Sequence, residues 1–144
     1  MLCTSGAEWL EMIVIADTNI LARIITKDNA QQFEAASRIF LSAEKVIVPA
    51  IVFCELSWLL RSGYQCDRKF IATAIRTIIS NAKIITEENA VLAGLRILDD
   101  GGDFADGVVQ YTGSLLAGGA NTFVSFDRKA VKRLQSRGIS AMTP

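Results

Sequence analysis

The chain has 144 residues, of which 51% are apolar and 21% charged, and this is the composition of one globular domain. Its 15 basic and 15 acidic residues cancel, so no overall positive charge indicates a nucleic-acid partner. The absence of histidine excludes Ser-His-Asp and Cys-His hydrolysis, RNA cleavage by paired histidines, and zinc hydrolysis through His-Glu-x-x-His. If the chain is an enzyme, carboxylates and metal ions must carry its reaction.

The cysteines and the hydropathy pattern indicate a cytoplasmic protein. Cys3, Cys54 and Cys66 form no Cys-x-x-Cys motif, which fits a reducing compartment, and we interpret Cys54 and Cys66 as packing residues. No apolar run approaches the ~18 residues needed to span a bilayer, and no signal segment opens the chain. Residues 1–11 show no clear pattern, so we expect an N-terminal extension of unclear role there and a domain that begins at Met12.

Strands alternate with helices along the chain. Apolar runs rich in β-branched residues predict the strands, and apolar residues at a 3.6-residue period predict the helices. The predicted strands lie at 12–16, 45–48, 83–86 and 121–126, with a short edge strand at 139–142. The first predicted helix follows residues 17–19 and ends at about residue 26. The other predicted helices run over 31–42, 50–62, 67–81, 87–99, 103–117 and 128–136.

This alternation predicts the fold class. Helices of this length between strands act as right-handed crossovers, which produce a mostly parallel sheet covered on both faces. No linker, repeat or low-complexity segment divides the chain. We therefore predict an α/β protein with three α/β/α layers, built as one domain over residues 12–144.

Five acidic residues stand out from their local context. Asp17 and Asp127 directly follow predicted strands, and Asp106 lies in the first turn of a helix, three residues after Asp103. Each of these four has an ordinary explanation as a helix cap or as a charge near a helix N-terminus. Glu55 is harder to explain in this way, because it lies within an apolar helix, where an acidic residue is rarely buried unless it is paired or bound to a metal.

Considered together, these residues predict a metal site. Strand exits and the helices that leave them meet at one edge of a parallel sheet. Four or five carboxylates at that edge would repel one another strongly, so a positive charge must compensate. Oxygen ligands favour hard divalent cations, which predicts Mg²⁺ or Mn²⁺.

At these residues the sequence resembles the PIN-domain ribonucleases, and among them the VapC-type toxins of bacterial and archaeal toxin–antitoxin pairs. The order and spacing of four motifs match from Met12 onward. The motifs are Asp17-Thr18-Asn19, Pro49-x-x-x-x-Cys54-Glu55-Leu56, Asp103-Phe104-Ala105-Asp106-Gly107, and Ser125-Phe126-Asp127-Arg128-Lys129-Ala130.

The resemblance implies a metal-dependent endoribonuclease whose products carry 5′-phosphate and 3′-hydroxyl ends. Its acidic quartet would be Asp17, Glu55, Asp106 and Asp127. The role of Asp103 stays open between binding metal, orienting Asp106 and capping the helix. The side chains expected to orient a carboxylate or water are Asn19, Thr18 and Ser125. The residues expected to hold RNA phosphates, on the basic helix after Asp127, are Lys129, Lys132 and Arg133.

The family also implies partners and leaves one alternative open. A cognate antitoxin would cover the site, and a homodimer would form on apolar helices, for which Phe33/Ile39/Phe40 and Phe70/Ile71/Ile78 are candidate stripes if they are not simply core. The alternative is a PIN-like scaffold that binds partners with an inactive site. Aspartyl-phosphate phosphatases, receiver domains and nucleotide-binding Rossmann or P-loop folds are disfavoured, because their acidic pairs or glycine-rich motifs are missing.

Overall fold

The structure is a computed structural model that describes residues 12–144, so the predicted extension at 1–11 lies outside the described residues. The strands and helices alternate as predicted. In chain order they are β1 Ile13–Ile15, α1 Thr18–Thr26, α2 Ala30–Ser42, β2 Lys45–Ile47, α3 Ala50–Ser62, α4 Arg68–Ile79, β3 Ile84–Ile85, α5 Glu88–Asp99, α6 Phe104–Ala117, β4 Phe123–Val124, α7 Arg128–Ser136 and β5 Ala141–Met142.

The strands form two parallel sheets. The first has the order β1-β2-β3, with Val14 paired with Val46 and Val46 with Ile84. The second contains only β4 and β5, which pair in parallel at Phe123 and Ala141. The α/β class, the parallel pairing and the short C-terminal strand are confirmed. The difference from the single predicted sheet is that β4 hydrogen-bonds to β5 and not to β1.

The main core lies under one face of the first sheet. Val46 and Val48 are fully buried there, together with Phe53 and Leu56 of α3 and Ile71 of α4. Because side chains alternate across a strand, the residues on either side of Val14 point to the other face. Those residues, Ile13 and Ile15, are exposed, so the two faces of the first sheet differ sharply in burial.

Two glycines allow helices α5 and α6 to approach closely. A Cβ atom on Gly107 would lie 2.3 Å from the carbonyl oxygen of Ala93, and one on Gly94 would lie 2.6 Å from the Phe104 ring. Neither distance is possible for a real side chain, so the contact requires glycine at both positions. The crossing at Gly107 also positions Asp106, the residue directly before it.

The apolar helices are packed elements of this fold. Ile71 is fully buried, and Phe40 and Ile78 pack against the main core, whereas Phe70 is exposed. The described chain has no helix that is both long enough and apolar enough to cross a membrane.

Candidate active site

Asp17 lies between the end of strand β1 and the start of helix α1. Its Oδ1 accepts a hydrogen bond of 3.2 Å from the backbone N–H of Ile20, so Asp17 is the N-cap of α1. Asp is one of the favoured capping residues because its side-chain oxygen satisfies a helix N–H that has no partner within the helix. The cap uses only Oδ1 of an exposed carboxylate. Capping and metal binding are therefore compatible at this residue.

Glu55 belongs to the same cleft as Asp17. It lies on α3, where its carboxylate is exposed and not buried in the apolar stretch around it. The hydroxyl of Thr18 donates a 3.0 Å hydrogen bond to Glu55 Oε2 and thereby connects α1 to α3. This hydrogen bond fixes the position of the Glu55 carboxylate relative to Thr18, and a supporting role of Thr18 in catalysis stays a prediction. The cavity between the two helices measures about 540 Å³. It is lined by Asp17, Thr18, Asn19, Cys54, Glu55, Trp58 and Leu59.

Asp103, Asp106 and Asp127 form a second acidic group. Burial raises the pKa of the half-buried Asp106 carboxyl, and the negative charges of Asp103 and Asp127 raise it further. The positive charge of Arg133 opposes this shift. Asp103 occupies the N-cap position of α6 but makes no capping hydrogen bond with its side chain. The capping explanation therefore does not account for the carboxylate of Asp103.

Asp127 resembles Asp17 in its local geometry. Its Oδ1 accepts hydrogen bonds of 3.0 and 3.1 Å from the backbone N–H groups of Lys129 and Ala130, which caps α7. Ser125 Oγ accepts a 3.0 Å hydrogen bond from the Asp127 backbone N–H and so fixes the turn that presents this carboxylate. Ser125 therefore holds the backbone of Asp127, and its supporting role in catalysis stays a prediction.

The three predicted phosphate-binding residues differ in their relation to the acidic residues. Arg133 is half-buried, and its stem packs over Gly102, where an added Cβ would lie 2.9 Å from Arg133 Cδ. From there its charge acts on Asp106. Lys129 and Lys132 are exposed on α7. Arg133 is thus the basic residue most closely associated with the second acidic group.

The structure brings the predicted acidic residues together in two groups. Asp17 and Glu55 share one cleft, and Asp103, Asp106 and Asp127 interact through their charges. Within residues 12–144, no three acidic or cysteine side chains are close enough to hold one metal ion. The donor set itself fits a hard divalent cation, since all five ligand candidates are carboxylates, and burial together with the charges of Asp103 and Asp127 raises the pKa of Asp106. A single shared site for the quartet stays a prediction.

Cys54 lines the cleft without providing a reactive thiolate. Burial raises the pKa of its thiol to about 11, and the negative charges of Glu55 and Glu87 act in the same direction. The thiol is therefore protonated at neutral pH. Cys54 and Cys66 both pack against the main core, which confirms that they are packing residues.

Three residues near the site were missed by the sequence reasoning. Glu87 Oε1 accepts a 2.9 Å hydrogen bond from the Ala50 backbone N–H, and so caps α3 after Pro49. The signal for it was a helix start that had no capping side chain of its own. Trp58 and Arg61 lie three and six residues after Glu55, a spacing that places all three along one ridge of a helix. Neither Trp58 nor Arg61 is acidic, so the pattern of carboxylates in the sequence does not reveal them.

Comparison with known families places most of the chain in one domain family. The PIN domain family matches residues 14–134, which is most of the chain, and the chain therefore belongs to this family. PIN domains are generally nucleases that act on nucleic acids and use divalent metal ions. No individual curated protein matches the chain.

Proposed function

We propose that the chain is a Mg²⁺-dependent endoribonuclease, with Mn²⁺ as an alternative ion, that hydrolyses RNA phosphodiester bonds. The observation that carries the proposal is the half-buried Asp106 carboxylate, whose pKa is raised by burial and by the nearby charges of Asp103 and Asp127. Such a group is unfavourable for the fold at neutral pH unless a cation compensates it. In a PIN-family chain without histidine, cation-assisted hydrolysis is the chemistry that these residues support best.

The candidate site residues would have different roles in this reaction. Asp17, Glu55, Asp106 and Asp127 would hold the metal, with Asp103 as a further ligand or as a group that orients Asp106. Thr18 contacts Glu55 and Ser125 contacts the backbone of Asp127, whereas Asn19 lines the cleft that contains Glu55. When bound, the cation would activate water and stabilise the charge that develops at the phosphate. Arg133, together with Lys129 and Lys132, would hold neighbouring phosphates.

The finer biological role follows from the resemblance to VapC-type toxins. We propose a toxin of a toxin–antitoxin pair that acts in the cytoplasm and is covered by a cognate antitoxin. We also propose a homodimer. The motif order from Asp17 to Asp127 supports the toxin assignment, and the exposed apolar residues of β1 support self-association.

Metal binding can be tested without any knowledge of the RNA substrate. A ligand that binds only the folded state raises the melting temperature as its concentration increases. We expect Mg²⁺ and Mn²⁺ to raise the melting temperature of the wild-type protein, and to do so much less for Asp106→Asn. The matched control is Asp67→Asn, since Asp67 caps α4 and lines neither of the cavities beside α3. An equal shift in all three proteins would contradict the assignment of Asp106 as a metal ligand.

The chemistry can be tested on the products. Hydrolysis by water in which the 3′-oxygen is the leaving group gives a 5′-phosphate and a 3′-hydroxyl, whereas attack by the 2′-hydroxyl expels the 5′-oxygen and leaves a 5′-hydroxyl. We expect every new 5′ end of the RNA to carry a phosphate that can be ligated directly, and every new 3′ end to carry a hydroxyl. New 5′-hydroxyl ends from the wild-type protein, absent with Asp106→Asn, would contradict the proposed reaction.

A further inference from the structure

Trp58 is a large aromatic residue that the fold leaves in solvent. Its relative exposure is 69%, whereas Phe53, Leu56 and Leu60 on the same helix are fully buried. The indole lines the cavity that contains Asp17 and Glu55. It also lines a second cavity of about 310 Å³, bounded by Arg61, Asp103 and Phe104 among others. Trp58 therefore stands between the two clefts without any core to pack.

Helix α3 presents three different chemical groups along this boundary. Glu55, Trp58 and Arg61 are spaced three residues apart, so a carboxylate, an indole and a guanidinium follow one another on one ridge. At 1.5 Å of rise per residue, the ridge covers about 9 Å along the helix axis. This order places a flat apolar surface directly between an acidic residue of the candidate active site and a positive charge.

The positive charge at the end of the ridge is part of a cluster. Burial lowers the pKa of the Arg68 guanidinium, and the charges of Arg61 and Arg133 lower it further, while Asp103 opposes them. Arg68 is anchored, since its Nε donates a 3.1 Å hydrogen bond to the carbonyl oxygen of Gly102. Within residues 12–144, Arg61 forms no ion pair. Three guanidinium groups in such proximity are suited to a polyanion.

We propose that Trp58 is a stacking platform for a base of single-stranded RNA, and that Arg61 binds a phosphate of the same strand; this rests on the proposed nuclease function. Aromatic side chains stack on the bases of unpaired strands, and arginine contacts the backbone. Single-stranded RNA fits this ridge because it combines exposed flat bases with regularly spaced phosphates. Trp58 thus holds the strand between the two acidic groups, which makes it a substrate-positioning residue.

Binding in EDTA tests this inference without requiring cleavage. The chain has two tryptophans, Trp9 and Trp58, so Trp9→Phe leaves Trp58 as the only one. We expect short single-stranded oligoadenylate or oligouridylate to quench the fluorescence of this variant. Because stacking contributes substantially per base, Trp58→Ala should weaken binding by about 5- to 100-fold, and Trp58→Phe by much less. Arg61→Ala should weaken binding and reduce its salt dependence.

Abasic oligonucleotides separate stacking from a general loss of affinity. At one position of the strand, removal of the base should weaken binding to the wild type but not to Trp58→Ala. The matched control is Phe70→Ala, since Phe70 is an exposed aromatic residue on α4 and lines neither of the two cavities. Unquenched Trp58 fluorescence, affinity that is unchanged in Trp58→Ala, or an equal loss in Phe70→Ala would each overturn the inference.

A separate cleavage assay distinguishes this inference from the proposed function. Suppose that the wild type cleaves RNA in a metal-dependent way and that Trp58→Ala has the KM and the RNA affinity of the wild type. This result would overturn the stacking role of Trp58 and leave the nuclease function intact. Absence of cleavage would count against the nuclease. The stacking role would then be judged on the binding result, and a loss of affinity in Trp58→Ala that is confined to strands carrying the base would still support it.

Discussion

Asp106 is the residue at which fold and proposed function conflict most clearly. Its carboxyl has a raised pKa in the folded chain because it is half-buried and lies near two other aspartates. The ionised form is therefore disfavoured by folding, so the residue lowers the free energy of unfolding at neutral pH. We expect Asp106→Asn to melt at a higher temperature than the wild type at pH 7 in EDTA, and to lose RNA cleavage.

The gain in melting temperature that we expect for Asp106→Asn depends on pH. A carboxyl whose folded pKa is raised contributes stability below its unfolded value, near 3.8, and that contribution is lost as the pH rises through the folded pKa. The advantage of Asp106→Asn should therefore disappear as the pH falls to about 3.8. Asp103→Asn is the control, and because Asp103 is exposed its effect should be smaller. A lower melting temperature for Asp106→Asn at pH 7 would contradict the electrostatic account.

At the residue scale, the sequence identified candidate side chains but did not determine their surroundings. Asp17 and Asp127 had two candidate roles, and both are caps that keep a second carboxylate oxygen available. Glu55 was expected to need compensation in an apolar helix, yet it is exposed. Hydrophobic periodicity reveals which face of a helix is apolar, but the boundary of that face depends on tertiary packing. This is also why Trp58 was missed.

At the scale of elements, the crossing of α5 and α6 fixes the position of Asp106. Gly107 lies against the backbone of Ala93, where no side chain fits. We expect Gly107→Ala to lower the free energy of unfolding by about 1–3 kcal/mol, because the helices must separate. Cleavage should fall as well, since Asp106 would move with its helix. Urea denaturation and an RNA cleavage assay would measure the two effects.

Gly113 provides a control for this prediction on the same helix. An added Cβ at Gly113 meets nothing within 4 Å. Gly113→Ala should therefore stabilise the protein by about 0.5–1 kcal/mol through helix propensity alone. Equal effects of the two substitutions would show that the close contact of α5 with α6 does not govern stability.

A polar network at the turn between α1 and α2 gives a second prediction at this scale. Tyr64 Oη donates a 2.7 Å hydrogen bond to Asp28, and Arg23 Nη1 donates one of 3.1 Å to the same carboxylate. The Tyr64 hydroxyl, Thr26 and Arg23 hold the pKa of Asp28 below its ordinary value of 3.8. We expect Asp28→Asn to lower the melting temperature at pH 7, since the network favours the ionised form.

The sign at Asp28 is opposite to that at Asp106. A carboxyl with a lowered folded pKa contributes stability above its unfolded value, and the contribution is lost as the pH falls through the folded pKa. The difference between the wild type and Asp28→Asn should therefore shrink below pH 3.8. Melting curves between neutral and acid pH would measure it. A difference that grows toward acid pH would contradict the network as described.

Secondary structure was predictable from the sequence almost element by element. The strand-to-helix alternation, the capping residue Asp67 and the short C-terminal strand all follow local patterns that the structure confirms. The pairing of β4 with β5 could not be predicted from local sequence patterns. Each of these strands has only two residues, and such short strands carry little register information. The cap that Glu87 provides for α3 was also beyond local reasoning, since it joins positions 37 residues apart.

At the scale of the whole molecule, one face of the first sheet is exposed and apolar. Ile13 and Ile15 lie on β1, at the edge of the sheet, and Ile85 lies on the same face of β3. Exposed apolar surface of this kind marks interaction sites. We expect the wild type to sediment as a dimer and Ile15→Lys to shift it toward the monomer, since a charge on this face would be buried by association.

The apolar stripe on α4 provides a control that distinguishes the two candidate dimer interfaces. Phe70 is the exposed member of the α4 stripe considered for dimerisation, whereas Ile71 beside it is buried. Phe70→Lys should leave the dimer intact if the sheet face carries it. Dissociation by Phe70→Lys but not by Ile15→Lys would assign the interface to α4, and a wild type that is monomeric at all concentrations would contradict the dimer.

We propose that carboxylates and a divalent cation cleave RNA in this chain. The most direct measurement is cleavage of total RNA by purified protein in Mg²⁺, Mn²⁺ or EDTA, beside Asp17→Asn. Asn is also a good N-cap, so this variant removes the charge while preserving the start of α1. Asp67→Asn is the matched control, because Asp67 caps α4 in the same way.

We predict discrete RNA fragments with Mg²⁺ or Mn²⁺ for the wild type and for Asp67→Asn, and none in EDTA or with Asp17→Asn. Mapping the ends of these fragments would then identify the RNA target. Cleavage that persists in EDTA and in Asp17→Asn, or no cleavage of any structured RNA by antitoxin-free protein, would contradict the account, and the latter result would favour a partner-binding scaffold.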